Sequence, residues 1–251
     1  MNKQVKVFPN IEELNDFAAE KFIEIAKDSI KRRKTFVVAL SGGSTPKALF
    51  RLLASDKFRY RIDWTRVFFF FGDERNVLPD DAESNFRMAR ENLFEPLQIS
   101  KDNIRAWDTE FKDTERIVEW YDISLRLFFP LGKIKKFPEF DLILLGMGAD
   151  GHTASLFPFT EALRETKELA VANYVEKLDD WRFTLTFPVI NNAKNIIFLV
   201  AGEEKAETLR EVLEGEFQPE KLPSQNVKPE KGDLFWLLDE NVAKLLTKDG
   251  N

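Results

Sequence analysis

Short apolar runs without polar alternation recur along the chain, and such runs predict strands that are covered on both faces. They span residues 35–40, 66–71, 141–145, 183–187, 195–200 and 234–238. Segments with apolar residues at helical spacing lie between or beside them, the clearest at 11–26, 46–53, 114–128 and 203–213. Because strands that alternate with helices form βαβ units, we predict an α/β fold with three α/β/α layers and a mostly parallel sheet. No repeat or linker interrupts the pattern, which predicts one domain over residues 1–251.

Glycine-rich turns follow four of these runs, at residues 41–46, 72–75, 146–152 and 201–202. In parallel α/β sheets, ligands bind at the carboxyl ends of the strands. All four turns fall at such ends, so the sequence predicts one ligand site that is built from them.

The first of these turns combines glycines with hydroxyl side chains, directly before a predicted helix that starts near Pro46. Its residues are Ser41, Gly42, Gly43, Ser44 and Thr45. Exposed N–H groups at a helix N-terminus favour an anion such as phosphate. The lysine and the spacing of a P-loop are missing, and a plain strand-to-helix turn is the alternative interpretation.

The second turn carries both charges, with Asp73 and Arg75 at the end of a predicted strand. Arg75 can pair with a phosphate or stabilise an oxyanion, and Asp73 can accept hydrogen bonds from sugar hydroxyls. A solvated loop with a local ion pair is the alternative. Two more cations, Arg182 and Lys205, can also reach a phosphate. A cation at a helix start favours a bound anion for Lys205, whereas a surface position is the alternative for Arg182.

The third turn contains His152, the single histidine of the chain. Its ordinary pKa lies nearest to neutrality among side chains, which suits proton transfer, although a lone histidine is often structural. No G-x-S-x-G motif accompanies it, so a serine-hydrolase triad is not supported. Residues 146–151 fit G-x-G-x-x-G, but no long apolar helix follows, and we therefore discount a dinucleotide cofactor.

The composition narrows the class of protein further. The chain has 251 residues, no cysteine and a net charge of −6. Disulfides, thiolate chemistry and a multi-histidine metal site are excluded, and nucleic acid is a disfavoured partner for an acidic chain. An anionic substrate would require a local concentration of cations. No apolar run approaches the ~20 residues of a membrane span, and the N-terminal residues do not form a signal peptide. We expect a cytoplasmic protein with no membrane partner.

Taken in order, these segments match motifs of a known family. The matching residues are 40–46, 72–75 with Val77, Pro79, Ser84 and Asn85, 146–148, 150–158, Arg182 with 184–186, Asn191 and Ala193, and Gly202 with Lys205 and Ala206. The chain resembles the lactonase branch of the glucosamine-6-phosphate isomerase/6-phosphogluconolactonase family. The resemblance implies a Rossmann-like, NagB/RpiA-like fold, and five motifs in one order are more specific than any single motif.

The resemblance also implies an activity, the hydrolysis of 6-phospho-D-glucono-1,5-lactone to 6-phosphogluconate in the oxidative pentose phosphate pathway, with no cofactor. His152 would be the general base that activates water. The loop of residues 41–45, with Arg182 and Lys205, would hold the phosphate of this small-molecule substrate. Asp73 and Arg75 would line the lactone site.

The rival branch of the family contains deaminases of glucosamine 6-phosphate, which share the Asp-Gly-His turn. Phe157 stands where their pattern has a glutamate, and 72–75 follows the lactonase pattern. The segment before Arg182 departs from that pattern, because an acidic pair replaces prolines, but Lys177 can serve as its substrate-binding lysine. A sugar-phosphate sensor is a further alternative. The oligomeric state stays open, with a monomer compatible.

Overall fold

The computed structural model describes residues 2–247. Ten strands cover Asn2–Phe8 (β1), Phe36–Leu40 (β2), Val67–Phe71 (β3), Asp73–Arg75 (β4), Ile104–Arg105 (β5), Leu142–Leu145 (β6), Ala170–Val175 (β7), Asp180–Leu185 (β8), Asn195–Val200 (β9) and Asp233–Asp239 (β10) within this part of the chain. Its α-helices cover Ile11–Arg33 (α1), Ser44–Leu53 (α2), Asn85–Ala89 (α3), Glu95–Leu97 (α4), Thr114–Phe128 (α5), Phe187–Asn191 (α6), Ala206–Glu214 (α7) and Glu240–Ala243 (α8).

Seven strands form the central sheet in the order β1-β10-β9-β6-β2-β3-β5. Every neighbouring pair in this sheet is parallel. Helices cover both sides of the sheet, and the predicted α/β fold is confirmed. Met1 and residues 248–251 of the predicted domain lie outside the described residues.

The core follows from the continuous apolar runs. All residues of β2 and β6 are buried, as expected for strands covered on both faces. Aromatic rings fill the space beside β3, where Phe70 packs edge-on against Phe140 with ring centroids 5.4 Å apart. The Tyr121 hydroxyl completes the end of β3, donating to the Phe71 carbonyl at 2.7 Å and accepting from its N–H at 2.9 Å. The point where the chain leaves the sheet is thereby fixed.

A second sheet holds three antiparallel strands in the order β4-β8-β7. Two sequence-based expectations differ from this arrangement. The run at 183–187 was expected among the buried parallel strands, but Asp180–Leu185 pairs antiparallel with β4 and β7. Residues 72–75 were expected as a turn, but Asp73–Arg75 is a strand. A three-residue segment carries no readable period, so only its pairing with β8 makes it a strand.

Two helices start at side chains that cap their first N–H groups. Asn10 caps α1 by accepting the Glu13 N–H at 2.9 Å, and Asp239 caps α8 by accepting the Val242 N–H at 2.8 Å. Both are side chains with the preferred capping chemistry. Among the helices of residues 2–247, none combines the length and apolar character needed to cross a membrane.

Candidate functional site

A cleft of about 450 Å³ opens at the carboxyl ends of β2, β3, β6 and β9, with the three-stranded sheet on its other side. Every residue predicted for the site lines this cleft. They are Ser41, Gly42, Gly43, Ser44, Thr45, Asp73, Arg75, His152, Lys177, Arg182 and Lys205. Segments up to 164 positions apart in the sequence (41 and 205) therefore meet in one place.

The loop between β2 and α2 presents hydrogen-bond donors to this cleft. Gly43 adopts φ of +107°, a left-handed conformation that favours glycine, and α2 starts at the next residue. No side chain in the described chain caps α2, so its first N–H groups remain available to a ligand. The buried Ser41 hydroxyl likewise has no hydrogen-bond partner within residues 2–247. This chemistry suits an anion.

Two arginines add positive charge from the three-stranded sheet. Arg75 on β4 and Arg182 on β8 are directly opposite each other in the antiparallel register. Arg182 donates to the Asp180 carboxylate at 2.6 Å, whereas Arg75 donates to the Glu83 carbonyl at 2.5 Å. Like charges that face each other on neighbouring strands are unfavourable unless an anion lies between them. The pair therefore strengthens the cationic character of the cleft.

The strand β4 is held in place by Glu74, a residue without a predicted role. Its buried carboxylate accepts the N–H groups of Arg75 at 2.9 Å and of Asn85 and Phe86 at 2.8 Å each. Ser84 adds its hydroxyl at 3.2 Å. Burial raises the pKa of Glu74, although these backbone hydrogen bonds lower it. Glu74 thus ties β4, and with it Arg75, to the N-terminus of α3.

The turn after β6 places His152 in the cleft. Gly148 donates its N–H to the His152 carbonyl at 2.9 Å, and Gly151 donates to the Gly148 carbonyl at 3.0 Å. From a distant segment, Ser224 donates its hydroxyl to the Gly151 carbonyl at 2.8 Å. The backbone around His152 is therefore held from two sides.

The His152 ring has two neighbours of its own. Its Nδ1 lies 2.5 Å from Oδ1 of Asp150, and its ring stacks on Phe157 with centroids 4.1 Å apart. A carboxylate acceptor at Nδ1 assigns the proton to that nitrogen, which leaves the Nε2 lone pair free. The arrangement presents an unprotonated ring nitrogen to the cleft.

Burial lowers the pKa of His152 to about 4. The Asp73 carboxylate opposes this shift, but three cations of the cleft reinforce it. These cations are Lys205, Arg75 and Arg182. His152 is therefore neutral near pH 7 and able to accept a proton.

Asp73 is buried and accepts a hydrogen bond from the Ser155 hydroxyl at 2.7 Å. This contact fixes one carboxylate oxygen of Asp73 close to the His152 turn. Sequence reasoning assigned no role to Ser155, Asp150 or Phe157, which surround the His152 turn. A readable signal existed for Asp150, which stands two positions before His152 in the Asp-Gly-His turn.

The cations Lys177 and Lys205 occupy different surroundings. Lys177 makes an ion pair with Asp150, and its Nζ lies 4.9 Å from the centre of the Phe157 ring. Lys205 lies in the turn that precedes α7 and makes no ion pair within the described part of the chain. In the described part of the chain, an acidic side chain therefore neutralises Lys177 but not Lys205.

Fold and cleft together define a class of protein, the α/β proteins with a Rossmann-like parallel sheet whose carboxyl edge carries a cleft lined by cations. The family model described as glucosamine-6-phosphate isomerases/6-phosphogluconolactonase matches residues 9–236. The chain belongs to this family, and the resemblance inferred from its motifs is confirmed.

Individual relatives carry the name of one branch. A 6-phosphogluconolactonase of Synechocystis is 40% identical over 218 residues, which are 87% of this chain and 88% of the relative. The structure of 6-phosphogluconolactonase from Trypanosoma brucei has a TM-score of 0.87 at 30% identity and covers 98% of this chain and 99% of that one. A monomeric glucosamine-6-phosphate deaminase, at 22% identity and a TM-score of 0.78 over 98% of this chain and all of its own, shares the fold alone.

Proposed function

We propose that this chain hydrolyses 6-phospho-D-glucono-1,5-lactone to 6-phosphogluconate, with His152 as the general base. The observation that carries the proposal is a histidine whose Nδ1 meets a carboxylate and whose ring lines a cleft with several cations. That the chain is an enzyme, and a lactone hydrolase, is confirmed by its 6-phosphogluconolactonase relatives. Their name also supports the phosphorylated lactone as substrate and the pentose phosphate pathway as its setting.

Binding in this proposal starts with the phosphate. The N–H groups and hydroxyls of residues 41–45 receive it, with Arg182 and Lys205 supplying charge. A phosphate held away from the reacting carbon contributes binding energy that orients the lactone carbonyl towards His152. In this proposal Arg75 stabilises the oxyanion at C1, and Asp73 accepts a hydrogen bond from a sugar hydroxyl.

In the chemical step, His152 accepts a proton from water and later donates it to the ring oxygen of the lactone. Nε2 of His152 takes a proton from water while the water oxygen forms a bond to C1, and the carbonyl oxygen becomes an oxyanion. The tetrahedral intermediate then collapses, the bond from C1 to the ring oxygen breaks, and the imidazolium returns its proton to that oxygen. Asp150 stabilises the transient imidazolium through Nδ1. One water is consumed, the new carboxylic acid loses its proton to the solvent, and nothing is oxidised or reduced, so the reaction requires no redox cofactor.

Acid release from freshly prepared 6-phosphogluconolactone in weak buffer tests this proposal. We expect fast release by the wild type, a loss of at least about a hundredfold in His152→Gln, and no acceleration with the unphosphorylated lactone. Wild-type release no faster than the spontaneous rate would contradict the proposal. Ammonia release from glucosamine 6-phosphate would then be measured, to test the rival branch.

A further inference from the structure

Four side chains beside the cleft form a closed ring of contacts. Asp150 meets His152 Nδ1 through Oδ1 and Lys177 Nζ through Oδ2. Lys177 lies 4.9 Å from the centre of the Phe157 ring, and Phe157 stacks on the His152 imidazole at 4.1 Å. Each side chain therefore contacts two others in the ring.

The two oxygens of Asp150 have separate tasks in this ring. One holds the imidazole and the other holds the ammonium group, so the carboxylate cannot rotate without breaking one of the two contacts. Because Lys177 holds Oδ2, Oδ1 stays directed at Nδ1 of His152. Only the ionised carboxylate is an acceptor at both oxygens, and an acceptor at Oδ1 is what keeps the proton of His152 on Nδ1.

Lys205 provides the contrast. It lines the same cleft, but no ion pair engages its ammonium group within residues 2–247. A bound phosphate can take up that charge without displacing a protein partner. For Lys177 the same phosphate would have to compete with Asp150. The two lysines therefore differ in their partners: the charge of Lys177 is paired with Asp150, whereas the charge of Lys205 is available to a ligand.

We propose that Lys177 is a positioning residue for the base, acting through Asp150 and Phe157, and is not a ligand of the substrate phosphate. The proposal rests on the proposed function only in its kinetic part. The ring of contacts and its effect on the His152 tautomer belong to the unliganded protein.

Kinetic measurements distinguish a lysine that positions His152 from a lysine that binds the substrate phosphate. In Lys177→Met we expect kcat to fall about tenfold or more, with KM and the Kd for 6-phosphogluconate within about twofold of wild type. Lys205→Met is the matched control, and it should raise KM and Kd about tenfold with a smaller change in kcat. A Lys177→Met enzyme with raised KM and Kd and an unchanged kcat, or with no change at all, would overturn the proposal.

A double-mutant cycle asks whether Lys177 acts through Asp150. Once Asp150→Asn has removed the carboxylate, Lys177→Met should lower kcat by less than about twofold further. Multiplicative effects of the two substitutions would show that Lys177 acts independently of Asp150 and would contradict the proposal. Lys177→Arg, which keeps the charge, should retain most of the wild-type kcat.

The final measurement does not depend on the reaction. Nitrogen NMR of the single histidine reports the His152 tautomer, and we expect protonated Nδ1 in wild type and Lys177→Arg but a mixture of tautomers in Lys177→Met. Other charged groups near the ring stay constant in this comparison, namely Asp73, Arg75, Arg182 and Lys205. An unchanged His152 tautomer in Lys177→Met would contradict the positioning role of Lys177. A wild type with the expected tautomer but no lactonase activity would instead refute the proposed function alone.

Discussion

Gly148 lies so close to the His152 imidazole that no side chain fits there unless the ring moves. A Cβ at position 148 would stand 2.1 Å from Cε1 and 2.2 Å from Nδ1 of the ring. The glycine thus allows the imidazole to pack against the backbone of its own turn. The orientation of the base depends on this missing side chain as much as on the Asp150 carboxylate.

Replacing Gly148 by alanine should therefore move the base. The ring must shift to clear the new methyl group, and a displacement of about 1 Å in a catalytic group can cost about a hundredfold in rate. We expect kcat for the lactone to fall by that order while the protein remains folded by circular dichroism. Gly132→Ala is the control, because a Cβ there meets nothing within 4 Å. Equal activity of the two variants would contradict the close packing.

The single histidine allows its ionisation to be measured directly. Proton NMR of protein without a polyhistidine tag should show the pKa of His152 far below the ordinary 6.5, near the value of about 4 that burial favours. Inorganic phosphate should raise this pKa, because it neutralises cations that lower it. A pKa of 6.5 or above in the free protein would refute the lowered pKa of His152.

The same ionisation predicts a pH dependence of stability. Between about pH 6.5 and 4 the unfolded chain binds a proton at residue 152 that the folded chain does not, so the free energy of unfolding decreases as the pH falls through this range. Urea denaturation at several pH values should show this slope in the wild type. The His152→Gln variant should have a shallower slope, and identical slopes would exclude the linkage.

The facing arginines predict a dependence on anions. Arg182→Gln removes a cation that is proposed to hold the phosphate, so binding of phosphate should lose about 1.5–3 kcal/mol, the typical value of a hydrogen bond to a charged group. In thermal unfolding, added inorganic phosphate should stabilise the wild type more than Arg182→Gln. The exposed Arg164, which pairs with Glu220, provides the control variant Arg164→Gln. Equal stabilisation of all three proteins would remove Arg182 from the anion site.

The contact between Ser155 and Asp73 predicts a cost in both stability and rate. Ser155→Ala leaves the buried Asp73 carboxylate without its hydroxyl donor, which typically destabilises a protein by about 1–3 kcal/mol. We expect a lower urea midpoint and a several-fold lower kcat, since Asp73 lies in the same cleft as the base. Ser55→Ala, which removes a hydroxyl bound to a backbone carbonyl outside the cleft, should leave kcat unchanged.

Much of the fold was predictable because the buried strands carry their signal locally. The runs that became β2, β3, β6, β9 and β10 are apolar on both faces, and a parallel sheet follows from their alternation with helices. The strand β4 was not predictable, since three residues have no period. The antiparallel placement of β8 was not predicted either: its hairpin partner β7 carries no continuous apolar run, and its other partner, β4, lies more than a hundred positions away.

The candidate site likewise contains features that the sequence predicts and features that it does not. Residues in glycine-rich turns at strand ends were predictable, and they do line one cleft. Their roles, the single domain and the cytoplasmic location stay predictions. The contact of Ser155 with Asp73 spans 82 positions and has no local signal. Lys177 was predicted as a ligand from its place before Arg182, but no pattern in the sequence reveals its ion pair with Asp150.

The cationic cleft has a consequence for the end of the catalytic cycle. Opening the lactone creates a carboxylate, so the product carries one more negative charge than the substrate. Arg75 and Arg182, which face each other beside the cleft, should attract this more anionic molecule more strongly than its precursor. In the proposed reaction, the positive charges that bind the substrate therefore also slow the release of the product. Added salt screens these charges and should increase the rate of product release.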